Sequence, residues 1–176
     1  MTAAGCLGGA TKTVTVAHTQ TVTSTQTVTT TGSVASAKAC QGTDLKAVFA
    51  QIPNSAGAGQ IAYTLTVRNT AQGACFVQGI PQGTLLDVNG ATLPTRVKGS
   101  GGKRVVLPLG ASAMAQARFS PSVAGDGDSQ SGACQPQAHT FQLSAAGGSV
   151  TEAPIKPPTS VCQQGTLNFE AFGYAG

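Results

Sequence analysis

Apolar and polar positions alternate most cleanly where Ile61, Tyr63, Leu65 and Val67 fall on one side of an extended chain and Ala62, Thr64, Thr66 and Arg68 fall on the other. Period two with β-branched and aromatic residues on one side predicts a strand with one buried face. The same pattern predicts strands over 45–52, ended by Pro53-Asn54, and from Cys75-Phe76-Val77, closed by Gly79-Ile80-Pro81. Between them, 69–73 reads as a turn, with Asn69 capping it through its side chain. Two hairpins are expected. One runs from Leu85-Leu86-Asp87-Val88 over Asn89-Gly90 into Ala91-Thr92-Leu93, because Asn-Gly suits a turn with positive φ at both central positions. The other runs from 95–98 over the glycine-rich stretch 99–102 into 103–107. A long alternating strand follows at 112–119, then a Gly/Asp/Ser-rich loop over 120–132 and further strands at 139–143, 149–151 and 166–172. Eight or more short strands with regular turn signals predict an all-β, antiparallel β-sandwich, and no stretch carries a helical period.

The pattern changes before Cys40. From Thr11 to Thr31 every odd position is threonine except Ala17, with Val14, Val16, Val22 and Val28 scattered among the even ones. The alternation has strand period, but one face of hydroxyls and a thin scatter of valine offers too little apolar surface to offset chain entropy. Residues 7–39 are therefore expected to be a disordered threonine-rich stalk that could extend to ~110 Å. As a flexible coil it would average ~35 Å. Residues 1–6 read MTAAGC, small residues directly before a cysteine, which is the pattern of a lipoprotein cleavage site with Cys6 as the lipidated residue. The basic start and apolar run of a signal peptide do not precede it. The division expected is a lipobox remnant over 1–6, the stalk over 7–39 and one domain over 40–176.

Composition narrows the compartment and the chemistry. Charged residues are 9% of the chain and the net charge is +4, far from the dense basic stripe of a nucleic-acid binder. Of five cysteines, Cys40, Cys75, Cys134 and Cys162 lie in the domain, widely spaced and never as the close pairs that zinc favours. Four dispersed cysteines in a loop-rich domain read as two disulfides, which places the protein outside the cytosol. Pairing of sequence neighbours is expected, Cys40 with Cys75 and Cys134 with Cys162, although four cysteines allow three connectivities and sequence does not choose among them.

Candidate sites are few. Arg96, Lys98, Lys103 and Arg104 flank the glycine-rich tip of the second expected hairpin. They could touch anionic lipid or wall polymer, or serve as the charges that protect an edge strand. The tip is not a phosphate-binding loop, because Val97 stands where glycine is needed and Arg104 follows Lys103. Asp126-Gly127-Asp128-Ser129-Gln130 has a trace of a calcium loop, but the bidentate glutamate position holds Gln137. A copper site would need clustered Met and His, and the domain has Met114 and His139 far apart in sequence. No serine sits in a nucleophile elbow, and the six carboxylates fall mostly in turns or at strand ends. No cofactor is implied.

The domain resembles the actinobacterial secreted and lipoprotein family catalogued as domain of unknown function four-two-three-two. The residues that carry this are Cys40 with Leu45, Leu65-Thr66-Val67-Arg68-Asn69, then Cys75, Gly79, Pro81, Leu85-Leu86-Asp87 and Gly90. Val106-Leu107-Pro108 with Gly110, Ser112 and Ala113, and the late Cys162 before Leu167 and Phe169, complete it. The resemblance implies an envelope-anchored, immunoglobulin-like sandwich with no established activity. Ile80 occupies the variable position of the Gly-x-Pro motif, where an aromatic is common, so no ligand role for such an aromatic carries over. The expected function is non-enzymatic binding or structural work at the cell surface, with the membrane reached through lipid on Cys6 and an envelope protein as a partner class. The alternatives are a module for wall polymer or carbohydrate, and an enzyme or enzyme accessory subunit.

Overall fold

A computed structural model provides the structure, which describes residues 37–175. The lipidation site at Cys6 and most of the threonine-rich stalk lie outside the described residues. Twelve strands are present among those described. They are β1 (Lys38–Ala39), β2 (Leu45–Gln51), β3 (Ile61–Asn69), β4 (Cys75–Gln78), β5 (Gly83–Leu86), β6 (Arg96–Lys98), β7 (Arg104–Leu107), β8 (Ser112–Phe119), β9 (Gln137–Ser144), β10 (Val150–Ser160), β11 (Thr166–Phe169) and β12 (Gly173–Tyr174). The fold is all-β, with sheets packed on one another around one core. The chain joins it at Lys38, slightly before the expected boundary at Cys40, through parallel pairing of β1 with β4.

One sheet has the order β1-β4-β7, and a larger one runs β5-β9-β10-β2-β3-β8-β11-β6, with β12 also paired to β8. Most pairings are antiparallel, as expected; the pairs β1–β4, β2–β10 and β6–β11 are short and parallel. The large sheet is strongly curled. Five strand spacings separate β9 from β11 along it, roughly 24 Å if it were flat. Yet the rings of Phe141 on β9 and Phe169 on β11 have centroids 5.7 Å apart. Phe49 on β2 sits at the fold of the curl, with ring centroids 5.3 Å from Tyr63, 6.5 Å from Phe119, 5.8 Å from Phe141 and 5.7 Å from Phe169. β3 buries Ile61, Tyr63, Leu65 and Val67, the face its alternation marks out. Its register sets Tyr63, Leu65 and Val67 opposite Ala117, Ala115 and Ala113 of β8, large side chains beside small ones, which lets the layer pack without voids.

The first expected hairpin is kept in shortened form and the second is overturned. β6 and β7 do not pair with each other: β6 pairs with β11 in the large sheet and β7 with β4 in the small one. The glycines between them form a crossing from one sheet to the other. Gly99 lies at φ +142 with no room for a Cβ beside the carbonyl of Phe169, and Gly102 lies at φ +112 where a Cβ would stand 2.7 Å from the Cα of Gly79. The first hairpin shrinks to a turn closed by a single bridge, Leu86 with Thr92. Gly90 takes positive φ there and Asn89 does not, so the turn is not of the two-positive-φ type. Asp87 explains this: its carboxylate accepts the backbone N–H groups of Asn89 and Ala91, each at 2.8 Å, and winds the loop around itself.

β10 runs through Pro154, Pro157 and Pro158, beyond the short strand expected at 149–151. It accommodates them because its pairing with β9 shifts register between Pro154 and Thr159, and its pairing with β2 needs only Ile155 and Lys156. The final expected strand stops at Phe169, and the chain resumes pairing to β8 at Gly173.

Candidate functional site

The four domain cysteines form Cys40–Cys75 and Cys134–Cys162, the expected pairing of neighbours. Two disulfides in a domain of this size mark an oxidising compartment outside the cytosol. They occupy opposite regions of the fold. Cys40–Cys75 ties the entering β1 to β4, and Cys134–Cys162 ties the long loop after β8 to the turn between β10 and β11.

Next to Cys134–Cys162 stands Asp128, buried, with a carboxylate that accepts four donors. The backbone N–H of Gly125 lies at 2.9 Å, that of Gln164 at 2.8 Å and Nε2 of Gln135 at 2.7 Å; the backbone N–H of Gln163 makes the fourth contact. Burial disfavours the charge, but these donors outweigh it and hold the carboxyl at about 2, below its usual value of 3.8. Gln163, Gln164 and Gly165 all take positive φ, so this short turn is left-handed, and Asp128 supplies the acceptors that a left-handed run of non-glycine residues needs. The calcium reading of 126–130 meets a physical obstacle here, since N–H donors present positive charge to the carboxylate where a cation would have to sit. The sulfurs of Cys134 and Cys162 are bonded to each other, so they add no ligands.

The basic cluster expected at one tip is divided. Arg96 and Lys98 lie on β6 at the edge of the large sheet, whereas Lys103 and Arg104 lead into β7 of the small one. The guanidinium of Arg104 stacks 3.9 Å over the ring of Phe76. Arg96 and Lys98 gain other neighbours. Register places Arg118 of β8, Asn168 of β11 and Lys98 in one row across the sheet, with Arg96 opposite Thr166. Arg96 and Lys98 also border a shallow polar hollow of about 270 Å³ with Gln163, Gln164, Thr166 and Asp126. Sequence order conceals this grouping, since Arg118 and Gln164 are distant along the chain.

Asn69 caps its turn as expected and does more. It is fully buried, its Oδ1 accepts the N–H of Ala71 at 2.9 Å, and its Nδ2 donates to the carbonyls of Gly73 and Leu107, both at 2.8 Å. Since Leu107 belongs to β7, Asn69 also joins the two sheets, and its polar groups are spent on the fold. His139 on β9 and Met114 on β8 are separated by β10, β2 and β3 in the sheet order.

An apolar hollow lies where the two sheets meet. It has a volume of about 250 Å³ and is lined by residues of β4, the Gly-x-Pro bend, the end of β9 and Phe172. Buried Leu45, Pro81, Leu143 and Phe172 form its base, and half-buried Phe76, Val77, Ile80 and Ala145 its walls. The bend is built by Gly79 at φ +78 and by the N–H of Phe172, which donates to the Gly79 carbonyl at 2.9 Å. Sequence reasoning assigned Gly79 and Pro81 a bend alone. The groove escaped it because five separate chain segments contribute, and Phe172 returns to the bend from the far end of the domain.

A family model described as Domain of unknown function (DUF4232) matches residues 40–173. No curated protein and no solved structure matches the chain.

Proposed function

Because the chain belongs to the family described as Domain of unknown function (DUF4232), a description that assigns no activity, we propose a role from the site itself: a non-enzymatic binding domain displayed outside the cytosol. In this reading, lipid on Cys6 and the threonine-rich stalk hold it at the cell envelope. The observation that carries the binding role is the apolar groove at the junction of the two sheets, which leaves Phe76, Val77 and Ile80 half-exposed beside a buried apolar base. Covering this remaining apolar surface with a ligand would remove it from water and so favour binding. Three of the six carboxylates support a non-enzymatic role. Asp44, Asp87 and Asp128 each accept backbone N–H groups of their own loops, which leaves them as turn formers and not as free acids or bases.

A photo-crosslinking residue placed at Gln82, on the groove rim, tests this in the native envelope. Discrete adducts are expected, with none from the same residue at Gln116 on the outer sheet face; identical adduct patterns would refute the groove as the binding surface. The lipid anchor is tested by the intact mass of the native protein, and an unlipidated chain cleaved elsewhere would end that claim.

The row Arg118, Asn168, Lys98 favours a second reading, recognition of an anionic wall polymer. Under it, replacing Arg96, Lys98 and Arg118 with Gln abolishes salt-sensitive envelope association. Unchanged association would dispose of it.

A further inference from the structure

We propose that the groove receives an extended peptide segment of a partner protein, which adds as a strand to the open edge of β4 and seats one apolar side chain against Ile80 and Phe172. The inference rests on the reading of the groove as the binding surface and names what binds there.

Three observations lead to it. First, among the described residues, β7 pairs with all of Cys75, Phe76, Val77 and Gln78 along one edge of β4, whereas β1 covers only Cys75 and Phe76 along the other. The direction of the free groups follows from the alternation of a strand. The Cys40 N–H donates to the Phe76 carbonyl at 3.0 Å, so Phe76 faces the lane of β1. Gln78, two residues on, turns its own N–H and C=O toward the same lane. Second, β1 abandons that lane at Cys40. The Cys40 carbonyl, which would meet the Gln78 N–H if β1 continued, instead accepts the N–H of Ala146 at 3.2 Å. The lane past Cys40 opens into the groove, and Gln78 stands in its lining. Third, the hollow is small, with room for one large apolar side chain and some space around it. About 250 Å³ falls short of the roughly 300–1,000 Å³ of small-molecule sites. Backbone groups on an open edge beside a pocket for a single side chain form the recognition mode of strand addition.

The probe is a display library of heptapeptides that alternate polar and apolar residues, with the central apolar position varied. Binders are examined by amide NMR and hydrogen exchange on the wild-type domain, with octanol as a separate small apolar probe. Expected are library members that shift the Phe76 to Gln78 signals and slow exchange of the Gln78 amide at least tenfold. Gln78→Pro removes that N–H without touching a bond to β7 and is expected to weaken peptide binding about tenfold or more. A binder whose central amide is replaced by an ester, tested on the wild-type domain, is expected to lose a similar factor, so the inference does not depend on the proline variant folding. Peptide binding with no protection of Gln78, or a library without binders, overturns strand addition. If octanol alone perturbs Ile80 and Phe172, the groove remains a binding surface for a different ligand. If neither probe perturbs them, the groove reading fails as well.

Discussion

Replacing Asp128 with Asn tests whether one carboxylate organises the loop after β8. Asn has the shape of the protonated acid, so the substitution removes charge with little change of volume. The loss can be worked out in two ways. Asp128 accepts three backbone N–H groups and one amide N–H, and a hydrogen bond to a charged group contributes about 1.5–3 kcal/mol. These are not additive, and Asn retains one acceptor oxygen while turning an N–H toward other donors. A net cost of about 2–3 kcal/mol at pH 7 follows. Independently, a carboxyl at about 2 when folded and 3.8 in its ordinary state contributes on the order of 2 kcal/mol. Because the folded pKa is the lower one, the contribution is complete above pH 4–5 and is lost as pH falls toward 2. Urea unfolding and thermal melts of both proteins from pH 7 to pH 2 are the assay. At pH 7 the variant melts about 10 °C lower, at ~4 °C per kcal/mol for a domain of this size. The gap between the two proteins then closes in acid, where the wild type becomes the neutral species that Asn imitates. A gap below about 0.5 kcal/mol at pH 7, or one that stays constant down to pH 2, would refute the role assigned to Asp128.

Three further outcomes follow from the packing. Asn69→Ala leaves the Leu107 carbonyl without its 2.8 Å donor between the sheets and should cost about 2–4 kcal/mol in chemical denaturation; a loss under 0.5 would show that water replaces the amide. Phe49→Ala empties the position where four other rings meet and should cost about 3–5 kcal/mol, against about 1 for Phe49→Leu; equal costs would mean that ring contacts are not the source. Gly165→Ala places a Cβ against the Pro94 carbonyl at φ +71 and should cost at least about 3 kcal/mol, whereas Gly73→Ala, with open space around its Cβ, stays within about 0.5; a reversed order in thermal melts would contradict the left-handed turn.

How far the sequence carried is visible in particular residues. Strand β3 was legible because its alternation is local and strict, and Ser112–Phe119 was legible for the same reason. The disulfides followed from neighbour pairing, and Asn69 as a cap followed from its side-chain chemistry. The second hairpin misled because glycine-rich linkers suit both a tight return and a crossing between sheets. Only the partners chosen by Lys98 and Arg104, on strands β11 and β4, distinguish the two. β10 was hidden by its prolines, which local propensity counts against a strand and a register shift accommodates. The left-handed turn at Gln163 carries no local signal at all, since its cause is the carboxylate of Asp128, 35 residues away. The groove was illegible for the same kind of reason, because its base is assembled from residues as far apart as Leu45 and Phe172.

The Cys40–Cys75 bond also determines how the domain would carry tension. A pull on the chain ahead of β1 passes the short pairing of β1 with β4 and then crosses the disulfide at Cys40 directly to β4. The intervening segment holds β2 and β3, with Phe49 and Tyr63 in the aromatic core, and the covalent shortcut takes it out of the line of force. Load applied between the N-terminal side and the edge of β4 would therefore run along a single strand and one sulfur bridge. The core would keep its packing under strain, and reducing that bridge would convert a rigid link into a spring made of the whole intervening segment.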